Sequence, residues 1–222
     1  MLNGLGRSAP IAIAFLVAAN SVPLIGVLFF GWDVAIVLIV YWLENGIVGL
    51  LNVPKILLAK GASDGTSVNG HSGNWVLAGF FLAHYGLFWI VHGVFVFAIT
   101  GYSDPGFVDL ADPVRTVLDD PGLMFAAAVL FVSHGVSLLL NYIGRGEYRS
   151  ASPGSQMFAP YPRMFVLHIT IVFAGVFVIG MNQPEYAVAL LVVLKTALDL
   201  VLHLRERRRA QAAPAAGPAP IV

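Results

Sequence analysis

The sequence predicts an all-α protein: a bundle of six transmembrane helices with both termini in the cytoplasm. Three observations predict it. Hydrophobic residues make up 58% of the 222 and charged residues 11%, whereas ordinary soluble domains are about a quarter charged; mean hydropathy is +0.83. Apolar stretches near the roughly 20 residues that cross a bilayer as a helix recur at 10–31, 33–58, 74–100, 121–143, 163–182 and 184–204. The basic residues fall almost wholly into alternate connections, the pattern that sets topology. Each stretch is read as a helix because hydrocarbon satisfies no backbone hydrogen bond, and the alternation of a barrel strand is missing.

Taken in order, the N-terminal MLNGLGRSAPIAIAFLVAANSVPLIGVLFF has one arginine followed by an apolar run. That run passes Ala18-Ala19, the only weak cleavage signal, and outlasts a signal-peptide core. It is therefore expected to stay as the first span. Gly31-Trp32-Asp33 turns the chain into the second, and the Gly/Ser/Asn run 61–73 into the third. After Asp104-Pro105-Gly106, Asp112-Pro113 with Val114, Val117 and Leu118 predicts a short interfacial helix. The fourth span ends in the Gly/Ser/Pro segment 144–162, where Tyr161-Pro162-Arg163 looks like an interfacial anchor opening the fifth. Asn182-Gln183-Pro184 precedes the sixth. Residues 1–206 thus form one integral domain, and the Ala/Pro-biased 207–222 a disordered tail.

Arg7, Lys55, Lys60, Arg145, Arg149, Arg163, Arg205, Arg207, Arg208 and Arg209 share one set of connections, and the other holds only Arg115. The positive-inside bias puts the first set in the cytoplasm. Asp104, Asp109, Asp112, Asp119 and Asp120 then lie outside. The expected location is the cytoplasmic membrane of a prokaryote, as a multi-pass protein. The C-terminal arginines fit anionic lipid headgroups, at about 1 kcal/mol per charge, and need no nucleic acid. With no cysteine, disulfides, thiolate metal sites and cysteine nucleophiles are excluded.

The informative residues are the polar ones inside the spans, because ionisable groups there are costly and tend to face the bundle interior. They are Glu44, Asn45 and Asn52 in span 2; His84 and His92 in span 3; His134, Ser137 and Asn141 in span 4; His168 in span 5; and Lys195, Asp199 and His203 in span 6. At 1.5 Å rise per residue, Glu44, His84, His134 and Lys195 fall near the midplane. Asn52, Asn141, His168 and Asp199 fall nearer the cytoplasm, His203 at the interface and His92 toward the outer leaflet. These depths predict a polar cavity open to the cytoplasm. Span 3 places Gly79, Ala83, Gly86 and Gly93 on one face, a small-residue stripe suited to close helix approach. His84, Phe88, His92 and Phe95 lie opposite, with the histidines about 12 Å apart along the axis, too far to share one ion.

Together YWLEN (41–45), HYGLFWIVHG (84–93), SHGVS (133–137), NYIGRGEY (141–148), PYPRMFVLH (160–168) and KTALDLVLH (195–203) resemble an uncharacterised family of small prokaryotic multi-pass membrane proteins, a domain of unknown function. The resemblance spans nearly the whole chain. It implies the span count and no activity.

The residues themselves support several functions. Imidazoles and carboxylates suit Zn, Mn or Fe, so His84 and His134 with Glu44, and His168 with Asp199 and His203, are two expected ligand sets. With a bound ion lowering the pKa of water, Glu44 would be the general base of a hydrolysis. A proton relay or proton-coupled small-solute transporter is the alternative. Lys195 favours it, since a cation repels a metal but pairs with Glu44 or Asp199. Non-covalent b-type haem between His84 and His134 is a third reading. A purely structural bundle is the fourth, with each polar residue making an interhelical hydrogen bond worth under about 2 kcal/mol. Six spans are few for an alternating-access carrier, a shortage that a homo-oligomer would make up. Gly144-Arg145-Gly146-Glu147 lacks the GK[ST] of a phosphate loop.

Overall fold

The computed structural model describes residues 17, 21–61, 70–101, 112–175, 180–181 and 185–212. All regular structure among them is helical. Four helices are long and apolar enough to cross a membrane among the described residues: Val34–Leu58, Gly73–Thr100, Pro121–Gly144 and Pro153–Ala174. The first and sixth predicted spans correspond to a shorter apolar helix α1 (Ser21–Phe30) and to α8 (Glu185–Ala212). Most of residues 10–20 lies outside the described residues, as do 213–222 of the predicted tail.

α1 ends at Gly31, whose φ of 67° is reached at no steric cost by glycine. The turn folds Trp32 back so that its backbone N–H donates to the Gly26 carbonyl at 3.0 Å. Asp33 then caps α2 (Val34–Leu58) by accepting from the Ala35 N–H at 2.7 Å, which satisfies one of the orphan donors of a helix start. α2 is the central helix: it packs against α3 (Gly70–Thr100), α5 (Pro121–Ser137), α6 (Pro153–Phe158), α7 (Tyr161–Gly175) and α8. Its buried residues, including Leu38, Ile39, Trp42 and Ile56, carry the core.

Trp42 of α2 and Trp89 of α3 stack with centroids 4.4 Å apart and planes 3° from parallel. Each indole N–H donates to the other's carbonyl, Trp42 at 2.8 Å and Trp89 at 3.0 Å. The contact requires glycine beneath both rings. A Cβ on Gly46 would stand 2.5 Å from Trp89, and one on Gly93 2.7 Å from Trp42. The small-residue stripe of span 3 is therefore divided. Gly93 accommodates a tryptophan, whereas Gly79 and Gly86 face open space.

The predicted interfacial helix is α4 (Asp112–Asp119), with Val117 buried and Leu118 exposed. Asp120 caps α5, accepting from Gly122 at 2.7 Å and Leu123 at 3.0 Å, and Pro121 takes the first helical position, where it gives up no bond. α5 loosens into a π-helix over Leu138–Gly144, and Gly146, at φ 74°, reverses the chain. The fifth span starts earlier than expected. Ser152 accepts from the Ser155 N–H at 3.3 Å, with Pro153 following it as a helix start. The apolar helical run thus opens at Pro153, ahead of 163, with Tyr161-Pro162-Arg163 as the first turn of α7 within it. α8 likewise continues through the arginines to Ala212.

One end of the bundle is basic. The Lys60 N–H donates to Tyr148 O and the Gly61 N–H to Ala151 O, each at 2.8 Å, and Tyr142 Oη donates to Lys55 O at 2.7 Å. Lys55, Lys60, Arg145 and Arg149 are gathered there. Lys60 Nζ and the Arg149 guanidinium both lie over the Tyr148 ring, at 5.4 and 5.7 Å. The Arg149 hydrogen bond and charge hold the Tyr148 phenol below its ordinary pKa.

Candidate functional site

Glu44 lies on α2 ten residues past the helix start, about 15 Å into the bundle. Three donors from three other helices converge on its carboxylate. Lys195 Nζ of α8 donates to Oε2 at 2.8 Å, and the Arg163 guanidinium of α7 donates to Oε1 at 3.1 Å. His134 Nε2 of α5 stands 3.3 Å from the same Oε1. The Glu44 side chain is 14% exposed. Ions removed from water persist when charge and hydrogen bonds compensate them, and this carboxylate accepts from a guanidinium and an ammonium at once.

Aromatic groups frame the cluster. Lys195 Nζ sits 4.9 Å above the Tyr41 ring, a cation–π contact, and Tyr41 Oη is 3.5 Å from the Arg163 carbonyl oxygen. A cavity of about 220 Å³ opens beside the cluster, with Trp32, Val40, Tyr41, Glu44, Leu191 and Lys195 in its wall. Its walls are mainly apolar and its charged corner is the Glu44–Lys195 pair. Asp199 is half-buried one turn along α8 from Lys195.

The structure thus unites three of the four residues expected at the midplane: Glu44, His134 and Lys195. The fourth, His84, lies elsewhere, with Nδ1 2.9 Å from Tyr161 Oη and its ring between Phe80 and Phe88. His84 and His134 therefore have separate partners. His168 does not meet Asp199; its Nδ1 is 3.1 Å from Nε2 of His92. The early start of the fifth helical segment explains this, because it moves His168 deeper, to the level of His92. The side chain of His203 lies outside the described residues.

The remaining polar residues make hydrogen bonds within and between helices. Asn45 is buried and donates to Tyr41 O at 2.8 Å, while Tyr85 Oη donates to Asn45 O at 3.1 Å. Asn52 ties α2 to α6 by donating to Gln156 O at 2.7 Å. Asn141 donates to Ser137 Oγ one turn earlier at 3.2 Å. Sequence reasoning missed Arg163 and Tyr41. Ser152-Pro153 was the available signal for Arg163, since a capping serine before proline marks a helix start. No pattern marks Tyr41, because only the arrival of Lys195 from another helix gives it a role.

Among the described residues, no group of three or more His, Asp or Glu side chains is placed to hold a metal ion. At Glu44 the reason is visible, since an ammonium and a guanidinium already occupy its oxygens. Fold and site define the class: an all-helical protein with several helices fit to cross a membrane, joined through a charged cluster between them. The chain belongs to a family of unknown function (DUF6498), whose profile matches residues 5–216. No curated protein and no solved structure matches it.

Proposed function

We propose that this protein is a six-span bundle of the cytoplasmic membrane, with both termini inside, and that its Glu44 cluster is a proton relay. The carrying observation is the convergence of Lys195, Arg163 and His134 on one carboxylate. Guanidinium does not deprotonate in proteins, so Arg163 is a fixed charge. Imidazole is the side chain suited to proton exchange, which makes His134 and Glu44 the exchanging pair. When His134 carries both ring protons, passing the one on Nε2 to Glu44 Oε1 leaves a neutral imidazole and a neutral carboxyl. The hold of Glu44 on Arg163 and Lys195 then weakens, loosening α7 and α8 from α2. That link between protonation and helix packing is what proton-coupled movement of a small solute requires. The adjacent cavity has room for water at its polar corner, where the Glu44–Lys195 pair would hold it.

A divalent metal or b-haem has less support, because the cations at Glu44 repel a metal and His84 and His134 have different partners. The inside-facing basic end is supported by the clustering of Lys55, Lys60, Arg145 and Arg149, and the arginines of α8 are expected to meet anionic lipid on that side.

The test is proton flux in vesicles with a trapped pH dye, an imposed pH gradient and the membrane potential clamped. Vesicles holding the protein are expected to lose the gradient faster than empty ones, and Glu44→Gln to abolish the difference. Flux equal to that of empty vesicles, or unchanged in Glu44→Gln, would overturn the relay.

A further inference from the structure

Apart from the Glu44 cluster, α3 and α7 form a second cavity of about 490 Å³, within the size range of small-molecule sites. Its wall is apolar, with Phe88, Phe95 and Ile171 among the lining residues, and its polar members are His92 and His168. Hydrogen bonding fixes their tautomers when both rings are neutral. His92 Nδ1 lies 2.6 Å from the Phe88 carbonyl oxygen, which can only accept, so Nδ1 carries the hydrogen. His92 Nε2 is then a lone pair, and His168 Nδ1, at 3.1 Å, must donate to it. His168 Nε2 is left as an acceptor on an exposed side chain bordering a hydrophobic cavity.

We propose that this groove binds a phenolic lipid, a molecule with an apolar chain and an aromatic hydroxyl head. The hydroxyl donates to His168 Nε2. The aromatic head suits a wall where Phe88 already lies nearly parallel to the His92 ring, 6.1 Å away at 27°. Among the described residues no Lys, Arg, Asp or Glu lines the groove, which disfavours an anionic head. An aliphatic alcohol lacks the ring that the phenyl walls would contact. The lipid-soluble occupant also matches access, since the groove lies between two helices apolar enough to cross a membrane.

The test is saturable binding of 4-decylphenol to the full chain in nanodiscs, corrected with protein-free discs and compared with 4-decylanisole and 1-decanol. The phenol is expected to bind about five- to tenfold more tightly than its methyl ether, the worth of about one hydrogen bond, and more tightly than decanol. His168→Phe should bring the phenol-to-anisole ratio to one. His168→Gln, whose amide oxygen accepts, should restore part of the preference. Circular dichroism of each variant verifies that the helices are intact. Absence of saturable phenol binding, equal binding of the ether or of decanol, or an unchanged ratio in His168→Phe would overturn the proposal.

Discussion

Glu44 illustrates how one side chain comes to serve several helices. Its carboxylate compensates Lys195 and Arg163, so removing it leaves two cations without their counter-ion. Breaking a buried ion pair from one side costs about 3–5 kcal/mol. Glu44→Gln is therefore expected to lower the thermal unfolding midpoint clearly. Lys195→Met should cost much less in the Glu44→Gln background than in the wild type. The double-mutant coupling, about 0.5–3 kcal/mol for groups in contact, measures the pair directly, and additive effects would mean that the contact contributes nothing. Glu44, His134 and Lys195 were legible because charge within an apolar run is conspicuous and helical rise fixes its depth. Arg163 was not legible, because beside Tyr161-Pro162 it reads as a loop cation until the upstream Ser152-Pro153 is recognised as the helix start.

At the scale of elements, α2 and α3 are joined by the Trp42–Trp89 contact and the glycines under it. Gly46→Ala places a methyl group against Trp89, and overpacking of this kind costs about 1–3 kcal/mol. Gly86→Ala, which meets open space, is the matched control and should change the unfolding midpoint little. Equal effects of the two would refute the assigned packing. The cap of α5 gives a third measurable effect: Asp120→Ala removes the acceptor for Gly122 and Leu123, at about 1 kcal/mol. The small-residue stripe was visible in the sequence, but not its division. Periodicity gives the face a glycine occupies and is silent on which neighbour lies opposite.

For the whole molecule, orientation is the property to measure, and the absence of cysteine makes it accessible. Single cysteines replacing Asp119, at the end of α4, and Arg149, at the basic end, are both exposed. In intact cells an impermeant maleimide should label Asp119→Cys, and should reach Arg149→Cys only after permeabilisation. The reverse result would invert the proposed topology.

Composition and hydropathy alone determined that the chain is helical and rich in segments able to cross a bilayer, since these follow from local transfer energies and backbone hydrogen bonding. Tertiary structure alone decided that Glu44 meets Arg163 as well as Lys195 and His134, that His168 meets His92, and that His84 joins neither. Such meetings depend on the rotation and axial shift of each helix against its neighbours. A start displaced from 163 to Pro153 shifts every later side chain of that segment along the axis, and only packing of the whole bundle fixes that register.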